Sequence, residues 1–154
     1  NIADACGLIK GSIYHYFKSK DEIGIESLKY IHNYFVDNIF SIAYDKNLKD
    51  EEKIKLIVKK TDEYFLNSKG GCLLGNLALE VSSENIDFKE VIKEYFTAWE
   101  NALFNIFKNK YEESKSRILA REYVALIQGS IMMMNLYDDS SNYLQVGEKL
   151  ISLI

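Results

Sequence analysis

Apolar residues recur every three or four positions along most of the chain, the spacing that places them on one face of an α-helix. Ile54, Ile57, Val58, Thr61 and Phe65 make one such face. Ile92, Tyr95, Phe96, Trp99, Leu103 and Ile106 make a second, stronger stripe. Residues 117–137 are apolar on most sides, with Ile118, Leu119, Tyr123, Leu126, Ile127, Ile131 and Met134. A helix apolar all round needs cover on several sides, from its own domain and from a second subunit. Tyr143, Val146, Gly147, Leu150 and Ile154 repeat the spacing at the end of the chain. No alternating strand pattern persists beyond a few residues. The expected fold is all-α.

Breaks between these faces are short and polar. Ser19-Lys20-Asp21-Glu22 has the form of a capping box, serine at the cap and glutamate three positions on. It predicts a long helix from about residue 19 to Ala43. Asp45 to Glu52, Ser68 to Gly71, Ser82 to Asp87, Lys110 to Ser116 and Asp138 to Ser141 read as connections.

Composition narrows the class. The chain has 154 residues, 47% of them apolar, enough for a real core. It has no proline, so its helices need not kink or break. The net charge is -4, yet Lys10, Lys18 and Lys20 outnumber Asp4 within the first 20 residues. A basic end on an acidic body fits one local anionic contact. Cys6 and Cys72 lie in unrelated contexts, which excludes a disulfide framework or a cysteine zinc site and fits a reducing cytoplasm. No metal or other cofactor is expected. No apolar run is long enough to cross a membrane. The chain opens on Asn1 rather than Met, so an earlier segment is expected.

The basic end carries the most specific pattern. Residues 2–6 suit the end of a helix, Gly7 its stop, and Lys10 to Phe17 a short second helix. Two helices joined by a glycine-bearing turn make a helix-turn-helix. Ile13 and Phe17 share a face and can pack inward. Tyr14, His15 and Tyr16 are consecutive and cannot all do so. Lysines and hydroxyls are the groups that phosphate oxygens accept from.

The run IADACGLIKGSIYHYFKSK, Ile2 to Lys20, closely resembles the DNA-binding domain of the TetR family of bacterial transcriptional regulators. The resemblance implies that Lys10 and Gly11 approach base edges, and that Ser12, Tyr14, Tyr16 and Lys20 contact phosphates. It places His15 at a variable position that touches bases or backbone, and Ile13 and Phe17 in the core. Ile9 stands where the family usually has a capping serine, and Cys6 where alanine is common. The resemblance also implies a first helix and most of a second ahead of residue 2. A chain beginning at Asn1 is therefore expected to bind DNA poorly.

Two domains follow from the resemblance: residues 1–43, the helix-turn-helix with its connecting helix, and residues 44–154, a ligand-binding and dimerisation domain. Gly71 to Val81, GCLLGNLALEV, resembles one recurring C-terminal type in that family. The last two helices, about 117–137 and 141–154, are expected to pair with a second subunit, Gly129 and Gly147 allowing close approach. Expected ligand contacts are Tyr64, Cys72, Asn76, Tyr95, Trp99 and Met133: aromatic and sulfur-bearing groups that accept flat or greasy molecules, with a few polar tips. Cys72 opens a helix after Gly70-Gly71, where the helix dipole lowers a thiol pKa, and it is a candidate sensor of electrophiles or oxidants.

The function implied is a ligand-responsive regulator, a repressor released from a palindromic operator by a small-molecule inducer. The alternative is a helical dimer that binds small molecules or partners without DNA. An enzyme is not expected. The two histidines, His15 and His32, stand in no Ser-His-Asp or HExxH arrangement, and the Gly70 to Gly75 stretch lacks the lysine of a phosphate-binding loop.

Overall fold

The computed structural model describes residues 2–7, 9–81 and 85–154. Among them the chain is helical throughout and forms no strand: α1 Ile2–Ala5, α2 Lys10–Tyr16, α3 Lys20–Asn38, a 3-10 helix Phe40–Tyr44, α4 Asp50–Phe65, α5 Leu73–Glu80, α6 Ile86–Phe107, α7 Glu113–Tyr137 and α8 Ser141–Ser152. The all-α expectation holds. The long α6 is the central element, packed against α3, α4, α5, α7 and the 3-10 helix. A single buried cluster joins α3 through α8. Of the helical head, α1 contributes only Ala3 to the buried residues and α2 none.

The predicted cap of α3 forms, with one change. Ser19 Oγ accepts from the Glu22 N–H at 3.1 Å, but the Glu22 carboxylate reaches back to the N–H of Lys18 rather than Ser19. The head is thus held to the start of α3 by two hydrogen bonds from one turn of chain.

The expected continuous helix to Ala43 does not occur. At Ile39 the backbone leaves helical geometry (φ -124°, ψ -57°), and the chain rewinds as a 3-10 helix. Three residues per turn put Phe40 and Ala43 on the same side, and both are fully buried. Asn105 of α6 secures this turn by donating to the Ala43 carbonyl at 2.8 Å. The following connection is also shorter than expected. Helix α4 starts at Asp50, with Glu52 accepting from the Lys49 N–H at 2.9 Å. Helix α7 starts at Glu113, inside the predicted 110–116 connection, and Tyr111 in that turn donates to the Leu153 carbonyl at 2.8 Å.

Close approach between α3 and α6 depends on Gly24. A Cβ there would lie 2.7 Å from the Phe88 ring. The helix that leaves the head therefore rests directly on the first turn of α6.

Candidate functional site

Helix α2 is short and capped by nothing. Ile9 occupies its cap position with no side-chain hydrogen bond and 77% of its surface exposed. A serine at this position supplies an acceptor for an orphan N–H. Ile9→Ser is expected to stabilise α2 by about 1 kcal/mol, read as slower amide exchange in residues 11–16.

Along α2, Ile13 and Phe17 turn inward and are half-buried, as their spacing requires, and Ser12 is half-buried beside them. Gly11, Tyr14, His15 and Tyr16 are exposed, with Tyr14 at 58% and Tyr16 at 76%. The His15 and Tyr16 rings meet edge to face at 5.3 Å. Lys18 and Lys20 are exposed just beyond. The backbone of Lys10 opens α2, while its side chain lies outside the described residues. This end of the molecule is thus an exposed array of hydroxyls, an imidazole and cations carried by two adjoining helix termini.

A second group of polar atoms lies inside the core that joins α3 through α8. Gly70 and Gly71, with φ of 98° and 76°, reverse the chain after α4 and lead into Cys72. Cys72 is buried and caps α5, its Sγ accepting from the Gly75 N–H at 3.3 Å. The Tyr95 hydroxyl and the Gln128 side chain face this sulfur, and Tyr64 lies near it. Tyr95 and Trp99 are almost wholly buried. Yet the Tyr95 hydroxyl, Trp99 Nε1, Gln128 Nε2 and His32 Nδ1 are buried without a hydrogen-bond partner. Such groups each cost about 1–3 kcal/mol. His32 and Tyr95 meet edge to face at 6.4 Å.

The pKa expectation for Cys72 is reversed. Burial pushes its thiol above the ordinary value, outweighing the Gly75 N–H bond and the Tyr95 and Gln128 dipoles that face the sulfur and pull it down. The sulfur is a neutral, buried cap rather than a poised thiolate. Burial likewise raises Tyr64, and raises Tyr95 strongly.

Two expected ligand residues lie elsewhere. Asn76 is exposed and donates to the Gly70 carbonyl at 2.8 Å, so it braces the turn before α5. Met133 is exposed on α7, on the side opposite the buried Val124, Ile127 and Ile131. It belongs to a row of exposed apolar side chains, Ile118, Leu126, Met132, Met133 and Leu136. Gly129 sits in this row with open space beyond its Cα. Gly147 does not face outward with it: a Cβ there would lie 3.0 Å from Val58 of α4.

Sequence reasoning missed Gln128 and underrated His32. Gln128 is half-buried on α7 beside Val124, Ile127 and Ile131, with its Nε2 buried. A long amide next to these apolar positions was the available signal.

Residues 51–149 match the family model described as "Transcriptional regulator LmrA/YxaF-like, C-terminal domain", and residues 1–26 match "Bacterial regulatory proteins, tetR family". The chain belongs to the TetR family of bacterial transcriptional regulators. It is 28% identical over 158 aligned positions to the HTH-type transcriptional regulator YxaF of Bacillus subtilis (strain 168), covering 99% of this chain and 82% of YxaF. It is 26% identical over 109 positions to the transcriptional regulator AcuR of Cereibacter sphaeroides, covering 70% of this chain and 50% of AcuR. The fold is similar to the crystal structure of a TetR regulator from Legionella pneumophila, with a TM-score of 0.89 at 22% identity over 99% of this chain and 83% of that one. It is also similar to the reduced form of E. coli NemR, with a TM-score of 0.78 at 18% identity over 96% and 81%. The two family models meet the chain at its two polar features: the exposed α2 array falls in the match over residues 1–26, and the buried cluster around Cys72, Tyr95 and Gln128 in the match over residues 51–149. The curated relatives are transcriptional regulators, not enzymes. Among the described residues no helix is long and apolar enough to cross a membrane, and no cluster of His, Cys, Asp or Glu could hold a metal ion.

Proposed function

We propose that this TetR-family regulator is a homodimeric repressor in the cytoplasm that a small molecule releases from a palindromic operator. The observation that carries the DNA half is the exposed array on α2 and the start of α3. Its hydroxyls and ammonium groups suit phosphate oxygens. Ser12, Tyr14, Tyr16 and Lys20 bind phosphates, Lys10 and Gly11 approach base edges, and His15 touches bases or backbone. A two-fold operator needs two such heads.

The row on α7 supports the dimer. It exposes five large apolar side chains around a glycine, a surface that a helix from a second copy covers well. Leu126→Asp buries a charge in that contact. It is expected to give monomers in analytical ultracentrifugation and to weaken operator binding at least tenfold. A dimer that survives this change contradicts the assignment of α7 to the interface.

The partnerless donors support a ligand site in the sensor core, walled by Tyr64, Cys72, Tyr95 and Trp99 and joined by His32 and Gln128. A ligand bearing hydrogen-bond acceptors relieves the cost of the Tyr95 and Gln128 donors. Its binding moves α6, and the Gly24–Phe88 contact passes that movement to α3 and the head. The ligand shifts the equilibrium only by its difference in affinity for the two states. Screening small molecules for release of fluorescent operator tests the reading. An inducer whose effect is unchanged in Tyr95→Phe and Gln128→Leu overturns the placement of the site.

A further inference from the structure

A small cavity of about 20 Å³ lies where α4, α6, α7 and α8 meet; Trp99 lines it and Tyr95 does not. It has room for one water-sized group. Ile57, Val58, Ile127 and Leu150 make its walls apolar. Thr61 also lines it, but its hydroxyl is engaged with the Ile57 carbonyl at 2.7 Å. Three polar groups remain. Asp62 is half-buried, the Tyr143 hydroxyl faces its carboxylate, and Trp99 brings an indole N–H that has no partner. Among the described residues no cation pairs with Asp62. Its neighbours Lys59 and Lys60 turn to Glu63 instead, at 4.0 and 3.5 Å.

Outside this cavity, α4 and α8 border a groove of about 440 Å³, lined by Val58, Leu66 and Ile151 and edged by Lys55, Lys59, Glu63 and Asn67. Val58 and Asp62 line both spaces, so Asp62 stands at the neck between them.

The donor and acceptor pattern selects the ligand chemistry. A group filling the cavity must donate to a carboxylate and accept from an indole N–H. A hydroxyl does both. An ammonium group cannot accept from the indole. A carboxylate cannot donate, and Asp62 repels it. We propose that this junction is a second small-molecule site, distinct from the Tyr95–Gln128 cluster, which takes the hydroxyl end of an amphiphile whose apolar body lies in the α4–α8 groove. A single water offers the same two hydrogen bonds and is the natural occupant until such a ligand displaces it.

Trp99 is the chain's one tryptophan, so its indole N–H gives a single resonance that reports on the site. The probes are 1-hexanol and hexyl methyl ether, titrated into the 15N-labelled full protein. The expected result is a saturable shift of the indole N–H with 1-hexanol and about tenfold weaker binding of the ether, which lacks the donor. Asp62→Asn, which keeps the shape, is expected to weaken 1-hexanol binding, and Asp62→Leu, checked for folding by circular dichroism, to abolish it. Tyr95→Phe is expected to leave it unchanged. An indole resonance that stays fixed up to the solubility limit leaves only water in the cavity and overturns the proposal. So does a shift that survives in both Asp62 variants, or one that disappears in folded Tyr95→Phe and so places the alcohol in the core.

Discussion

Replacing Tyr14 and Lys20 together by alanine is expected to lower operator affinity by about 100-fold or more without unfolding the protein. Both side chains are exposed, and neither belongs to the core cluster. Alanine is a good residue at the first position of α3, where Lys20 stands. The loss therefore falls on binding rather than on stability. In a dimer each contact is made twice, so the double variant removes four hydrogen-bonding groups from one complex. Two of them are cations. Each neutralised phosphate contributes about 0.9 to the slope of log affinity against log salt. The variant's slope is expected to be shallower by about 2. Fluorescence anisotropy at several salt concentrations reads both quantities. A loss of affinity at unchanged salt slope would remove Lys20 from the phosphate-contacting set.

Phe35→Ala is expected to have the largest effect on stability, about 3–5 kcal/mol. Phe35 is fully buried at the centre of an aromatic group. Its ring centroid lies 4.7 Å from Tyr64, 5.2 Å from Tyr95, 5.6 Å from Phe40 and 5.7 Å from Phe65. These partners come from α4, α6 and the 3-10 helix, so one truncation opens a cavity shared by several elements. Core packing is dense, and such a space closes only in part. With a urea slope of about 2 kcal/mol per molar, the unfolding midpoint falls by about 2 M. Trp99, 6.2 Å from Phe35, provides the fluorescence signal. A midpoint shift below about 0.5 M would contradict the central place given to this ring.

The position of Phe35 marks how far the pattern of the chain carries. The stripes on α4 and α6 were legible, and Ile54, Ile57, Phe65, Ile92, Tyr95, Trp99 and Leu103 are all buried. Ser19 was legible as a cap because capping chemistry is local. Phe35 was not singled out, since its weight comes from rings brought together by three other elements. The same holds for the break at Ile39. No glycine or proline announces it, and the burial of Phe40 and Ala43 in tertiary contacts overrides the local preference for a longer helix. On α7 the chain shows apolar residues on most sides but not which side meets its own domain. Packing divides them, leaving Met133 outside with Leu126 and half-burying Gln128 against the core.

At the candidate sites the balance is similar. The α2 array reads directly from consecutive residues, because a seven-residue helix with three adjoining aromatic or imidazole side chains has no way to bury them all. The buried polar cluster was half legible. Tyr64, Cys72, Tyr95 and Trp99 do converge, yet Asn76 braces a glycine turn, and the missing donor is Gln128 from a helix far along the chain. Cys72 shows why helix position alone does not set a thiol pKa. The dipole and the Gly75 N–H act on it, but desolvation is the larger effect.

Phosphate contacts from α2 and the start of α3 are expected to hold the protein on DNA. The most direct measurement is the affinity of the full natural protein for its own upstream DNA, followed by fluorescence anisotropy across a salt series. The expected result is specific binding in the nanomolar range that weakens steeply with salt and is relieved by an acceptor-bearing inducer. A folded dimer that binds this DNA no better than unrelated sequence, even at low salt, would contradict it.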